Sequence, residues 1–216
     1  MADEPKAEKY LDRYEVVAIA LPGAALLLFV WYLRPELFGA AKFELKDVTV
    51  GALGIFTIAA LIAGQVVQAI ANVAEEVLNQ IADVLGRSPV DSLPQHRRTQ
   101  FADAVQAMNI ERLETMDRRR YRRELGKEIA RAARQRDATG MLQVINVSYG
   151  LHRGLAVASG VALVVAIFAA RGPAWIAFAL IFAAMTYRAV RFSRRYEGES
   201  LRLFLDTALA KPGGTT

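Results

Sequence analysis

The sequence predicts an all-α polytopic membrane protein, with four transmembrane helices and a helical cytoplasmic layer. Three observations carry that expectation. Of 216 residues, 54% are hydrophobic and 23% charged, and the two classes are segregated along the chain instead of being mixed at helical or strand period. Four apolar runs approach the roughly 20 residues needed to cross a ~30 Å hydrocarbon core. Arginine-rich blocks separate those runs unevenly, which is the pattern that sets topology. An ordinary soluble domain is excluded, and so is a disordered chain, whose hydrophobicity is low. The absence of Cys excludes disulfides, thiolate chemistry and cysteine metal sites. The expected organisation has three parts. Residues 1–70 hold the N-terminal segment and the first two spans. Residues 71–150 form a basic helical region, and residues 151–216 hold the last two spans and a tail.

The first span is VVAIALPGAALLLFVWYL, Val16–Leu33. Trp31 and Tyr32 close it and suit an interfacial aromatic belt. The residues before it include Asp3, Glu4, Glu8, Asp12 and Glu15 against Lys6, Lys9 and Arg13. That acidic balance and the long apolar run are expected of a retained span, not a cleaved signal peptide, although Gly39-Ala40-Ala41 resembles a cleavage site. Pro22 removes a backbone donor and should kink the helix, which we read as a packing device. Residues 34–47 form a longer amphipathic connection.

The second span covers 48–70. Its apolar stripe continues through Ile70, Val73, Val77, Ile81 and Val84 at spacings of three and four, so one helix should run on to Gly86. Residues 87–95 contain Pro89 and Pro94 and read as a loop. A further helical stretch spans 97–136. Its stripe is Phe101, Val105, Met108 and Leu113, then Leu125, Ile129 and Ala132, with Gly126 as a possible bend. Gly140 interrupts the pattern, and 141–147 lead into the third span, 154–170. Arg171-Gly172-Pro173 is a tight turn into the fourth apolar run, 174–187. Trp175 opens that run. It is short, and continuing the helix through Arg188 to Phe192 lets its arginines snorkel to the headgroups. Leu201, Phe204 and Leu205 give the tail its own apolar face.

Basic residues cluster in the middle segment and the tail, whereas the connection after the first span has only Arg34, Lys42 and Lys46 and that after the third only Arg171. The middle segment and both termini are therefore expected in the cytoplasm of a bacterial inner-membrane protein.

Two features are candidates for function. Gln65, Gln68 and Asn72 lie three and four residues apart on one face of the second span. Amides in lipid need partners, so this face either bonds between helices or lines a water-filled path. The stretch 112–136 holds ten basic and four acidic residues, centred on Arg118, Arg119, Arg120, Arg122, Arg123 and Lys127. It is either a solvated face that enforces orientation, a site for anionic headgroups, or a site for nucleic acid or a nucleotide phosphate. The last is the least favoured. Gly51, Gly54, Gly64, Gly150, Gly154 and Gly160 suggest close helix approach.

None of the four apolar cores contains a charged residue or His, so a proton-coupled transporter is not expected. No HExxH, GxSxG or P-loop is present. Ser148 and Ser159 have no catalytic partner nearby in sequence, and His96 and His152 are far apart. A non-enzymatic protein without a cofactor is expected. Its partners would be membrane lipids, further copies of itself and a cytosolic protein.

In layout the chain resembles small bacterial four-span proteins that act as membrane effectors of anti-phage systems. The features behind the comparison are Leu21-Pro22-Gly23, the stretch GQVVQAI at 64–70 and the arginine-rich middle helices. The resemblance implies oligomerisation and perturbation of the inner membrane on a cytosolic signal. It assigns no functional residue.

Overall fold

The computed structural model describes residues 7–38, 49–85, 94–107, 118–135, 137, 139–169 and 172–209. Among them there are six α-helices and no strand: α1 Ala7–Leu33, α2 Val50–Leu85, α3 Gln95–Ala107, α4 Arg118–Arg134, α5 Met141–Phe168 and α6 Ala174–Leu209. A short 3-10 turn, Pro35–Phe38, follows α1. Four of the helices, α1, α2, α5 and α6, are long and apolar enough to cross a membrane.

Local chemistry explains two helix starts. The Thr49 hydroxyl caps α2 by accepting the Ala52 N–H at 3.1 Å, satisfying one of the donors that a helix N-terminus leaves unpaired. Asp137 accepts the Leu142 N–H at 2.6 Å and the Thr139 hydroxyl at 2.8 Å. Gly140 completes that turn at φ 67°, a left-handed conformation that glycine adopts without strain. α5 thus begins at Met141, well ahead of the apolar run at 154. α6 likewise does not stop at Tyr187 but continues to Leu209.

The chain divides into two compact units. The first combines Met1–Gln80 with Val147–Arg191, and the second combines Ile81–Asn146 with Phe192–Thr216. In the first unit, α1, α2, α5 and α6 pack as an up-and-down bundle. At one end Leu33, Ala162, Ala166 and Phe178 are buried together, and the Phe29 and Phe178 rings meet edge-on at 5.1 Å. Large apolar side chains cover much of the outside, including Leu53, Ile55, Phe56 and Ile58 on consecutive turns of α2. For a soluble fold that exposure would be unfavourable; for a bundle in lipid it is the contact surface.

Small residues set the helix spacing within this bundle. A Cβ on Gly23 would fall inside the Ala60 carbonyl oxygen and 2.5 Å from the Gly64 nitrogen. A Cβ on Gly64 would strike the Ile19 carbonyl in return. α1 and α2 therefore cross backbone against backbone. Gly154 admits the Pro22 ring, which would lie 2.8 Å from an added Cβ, so Pro22, buried inside a continuous α1, serves as a packing element. By contrast Gly54 and Gly150 have open space around them, and only one glycine of the 150/154 pair is used for close approach.

The second unit has its own core. Ala104 of α3, Leu125 and Ile129 of α4, and Leu201, Phe204 and Leu205 of α6 are buried together, with Phe101, Val105 and Ala132 packed around them. These stripes were legible as apolar faces needing a partner, and they bury one another. Phe101 and Phe204 stack edge-on at 6.3 Å. Met108 and Leu113 lie outside the described residues, as do the side chains of Val77, Ile81 and Val84. Phe204→Ala is expected to destabilise this unit by about 3–5 kcal/mol. Hydrogen exchange should show loss of protection in α3 and α4, while Arg202→Ala on the same helix changes it by under about 0.5 kcal/mol.

Candidate functional site

The polar face of α2 meets a charge that lies one residue outside the apolar core of the third span. Arg153 of α5 forms an ion pair with Glu75 of α2 through Nη1. Its Nη2 donates to Asn72 Oδ1 at 2.7 Å and to Gln68 Oε1 at 3.3 Å. Tyr149, one turn earlier on α5, donates its hydroxyl to the other Glu75 oxygen at 3.1 Å. The Arg153 guanidinium also lies 5.2 Å from the centre of the Tyr149 ring, within cation–π range. The Arg153 side chain is only 12% exposed and that of Glu75 34%.

Gln68 ties the cluster to a third helix. Its Nε2 donates to the Ala18 carbonyl of α1 at 3.2 Å and to the Gly150 carbonyl of α5 at 3.3 Å, while its oxygen accepts from Arg153. Three helices are thus joined at one level of the bundle by a single amide. That level is where the first span begins and the second ends. A guanidinium there would be costly alone. Its charge is cancelled by Glu75, and four of the polar side-chain groups around it are hydrogen-bonded, which is the condition for tolerating a buried pair. The Nε of Arg153 is buried without a hydrogen-bond partner, so the fork is used through its two terminal nitrogens.

The sequence-predicted residues separate. Gln68 and Asn72 are brought together by Arg153. Gln65 remains exposed on α2 and takes no part in the cluster. The amides therefore bond between helices at Gln68 and Asn72. Arg118, Arg119, Arg120, Arg122 and Arg123 belong to α4 by backbone, but their side chains lie outside the described residues; Lys127 is exposed. Elsewhere on α4, Arg131 pairs with Glu128 at 2.8 Å, and Arg134 donates to the Tyr196 hydroxyl at 2.9 Å. The first is ordinary pairing along one helix surface, and the second joins α4 to α6.

Arg153, Glu75 and Tyr149 lie just beyond the ends of the apolar runs, so the runs alone do not reveal them. A signal was present. Gln65, Gln68, Asn72, Glu75 and Asn79 repeat at three, four, three and four residues, a polar seam that carries Glu75 onto the amide face.

His152 and Ser159 both make local backbone contacts on α5. His152 Nδ1 lies 2.6 Å from the Ser148 carbonyl, one turn back on α5. The buried Ser159 hydroxyl donates to the carbonyls of Leu155 and Ala156, the usual fate of serine inside a helix. Among the described residues no three His, Asp or Glu side chains gather as a metal-ligand set.

Fold and site together define a polytopic helical membrane protein with a charged clasp at one end of its bundle. The chain matches no protein-family model, no curated protein and no solved structure.

Proposed function

We propose that the chain is a non-enzymatic, homo-oligomeric effector or pore component of a bacterial inner membrane, gated through its cytoplasmic helices. The observation that carries the proposal is the Arg153 clasp. It joins α1, α2 and α5 through polar contacts that a change in either charged partner would release. A clasp of this kind gives a bundle two discrete arrangements, closed while Glu75 and Arg153 are paired and open when they part, which is what a gate requires. α2 and α5 also supply residues to the second unit, so a partner that reorders that unit acts on the same two helices. Both termini and residues 71–150 face the cytoplasm on this proposal, and the resemblance in layout to anti-phage effectors supports a role in phage defence.

A second reading is a membrane adaptor that anchors a cytosolic partner. It is favoured by the second unit's own hydrophobic core, which suits a docking platform.

A voltage-sensitive dye in bacteria induced for the full-length chain separates the two. Wild type is expected to depolarise the membrane weakly without its trigger, and Glu75→Gln, which removes the charge while keeping hydrogen-bonding capacity, strongly. With insertion confirmed for both proteins, the absence of any difference between them would sink the gate and leave the adaptor.

A further inference from the structure

The uncharged part of the fourth span is shorter than a hydrocarbon core. The uncharged stretch 174–187 has 14 residues and rises about 21 Å as a helix, against a hydrocarbon core of about 30 Å. α6 then continues unbroken, so the next two turns lie at the depth where acyl chains meet headgroups. Those turns carry Arg188, Arg191, Arg194 and Arg195, with no acidic residue between 174 and 196.

At 3.6 residues per turn the four arginines fall within a sector of about 120°. All four are exposed, while Ala189, on the opposite side of the helix, is 2% exposed. Among the described residues none of the four has an ion pair or a hydrogen-bond partner. That distinguishes them from Arg131, Arg153 and Arg202, each of which has a carboxylate. Tyr187, just before them, is exposed at the place an interfacial aromatic takes. An arginine at this depth reaches out to water or draws oxyanions in, and its planar fork fits a phosphate better than it fits water. Four such forks along one helix side favour lipids with net negative headgroups.

We propose that Arg188, Arg191, Arg194 and Arg195 form a ladder that binds the phosphates of anionic phospholipid headgroups and draws the adjoining leaflet inward around α6. The mismatch supplies the geometry, because a leaflet that meets a short span thins locally. The ladder depends on α6 crossing the membrane and not on the gating proposed above.

The test uses the purified full-length chain in vesicles of phosphatidylcholine doped with spin-labelled phosphatidylglycerol or spin-labelled phosphatidylcholine. Wild type is expected to prefer the phosphatidylglycerol label several-fold. The variant Arg188→Gln/Arg191→Gln/Arg194→Gln/Arg195→Gln is expected to lose most of that preference. A charge-matched control, Arg97→Gln/Arg98→Gln/Arg131→Gln/Arg202→Gln, should keep it. Equal loss in both variants would show diffuse attraction to net charge and overturn the ladder; so would no preference in wild type, or an undiminished preference in the ladder variant. If the fourfold variant does not reconstitute, Arg191→Gln and Arg195→Gln alone should each give a partial loss, and no loss in either overturns the proposal.

Discussion

Gly64→Ala is expected to lower the stability of the bundle by about 2–3 kcal/mol, and Gly23→Ala by a similar amount. The added Cβ at Gly64 would occupy the Ile19 carbonyl and lie 2.9 Å from the Ile19 side chain. At Gly23 it would meet the Ala60 and Gly64 backbones. Neither obstacle is the free end of a side chain, so no rotamer change relieves the overlap. α1 and α2 must move apart, and every contact along their crossing weakens with them. Overpacking typically costs about 1–3 kcal/mol and more where the backbone is trapped. The gain in helix propensity from glycine to alanine, about 1 kcal/mol, offsets only part of that. Gly54→Ala is the matched control, since nothing lies within 4 Å of the new carbon, and it should be neutral or slightly stabilising. Thermal unfolding in detergent measures all three. A Gly64→Ala protein as stable as Gly54→Ala would show that α1 and α2 do not meet at this crossing.

Glu75→Leu should be as damaging, for an electrostatic reason. It leaves the Arg153 guanidinium largely buried with only amides and a tyrosine ring around it. Stripping one partner from a fully buried pair costs about 3–5 kcal/mol; with the Glu75 side chain 34% exposed, a loss of about 2–3 kcal/mol is expected. Arg153→Leu/Glu75→Leu removes both charges and should recover much of the loss, because well-packed apolar groups replace a buried pair at little cost. The double-mutant cycle is expected to give a coupling of about 1–3 kcal/mol. Additive losses across the cycle would mean that the two side chains do not interact energetically. The same cycle bears on the proposed gate, because a clasp worth nothing cannot hold a closed state.

Much of the fold was readable before any coordinates. The four spans, the run of α2 to Leu85 and the extension of α6 past Tyr187 follow from apolar length and from stripes spaced at three and four. Leu125, Ile129, Leu201, Phe204 and Leu205 could be recognised as faces in search of a partner. Which face met which could not be read, because helical period identifies a buried side and not its neighbour. The candidate site was half legible. Gln68 and Asn72 announced a need for hydrogen bonds in lipid. Their partner, Arg153, stands 81 residues beyond Asn72 and looks like one more arginine at a span end.

Composition and periodicity thus determined the class of protein, its helices, the up-and-down order of its spans and the apolar faces of its helical region. These follow from local rules: the length a helix needs to cross lipid, the spacing that gathers residues on one side, and the segregation of charge. Tertiary structure alone decided which glycines are indispensable, since Gly23, Gly64 and Gly154 meet neighbours while Gly54 and Gly150 do not. It alone decided that the amide face of α2 is closed by an ion pair between helices. Close approach and charge pairing are properties of two segments at once, and distance along the chain carries no information about either.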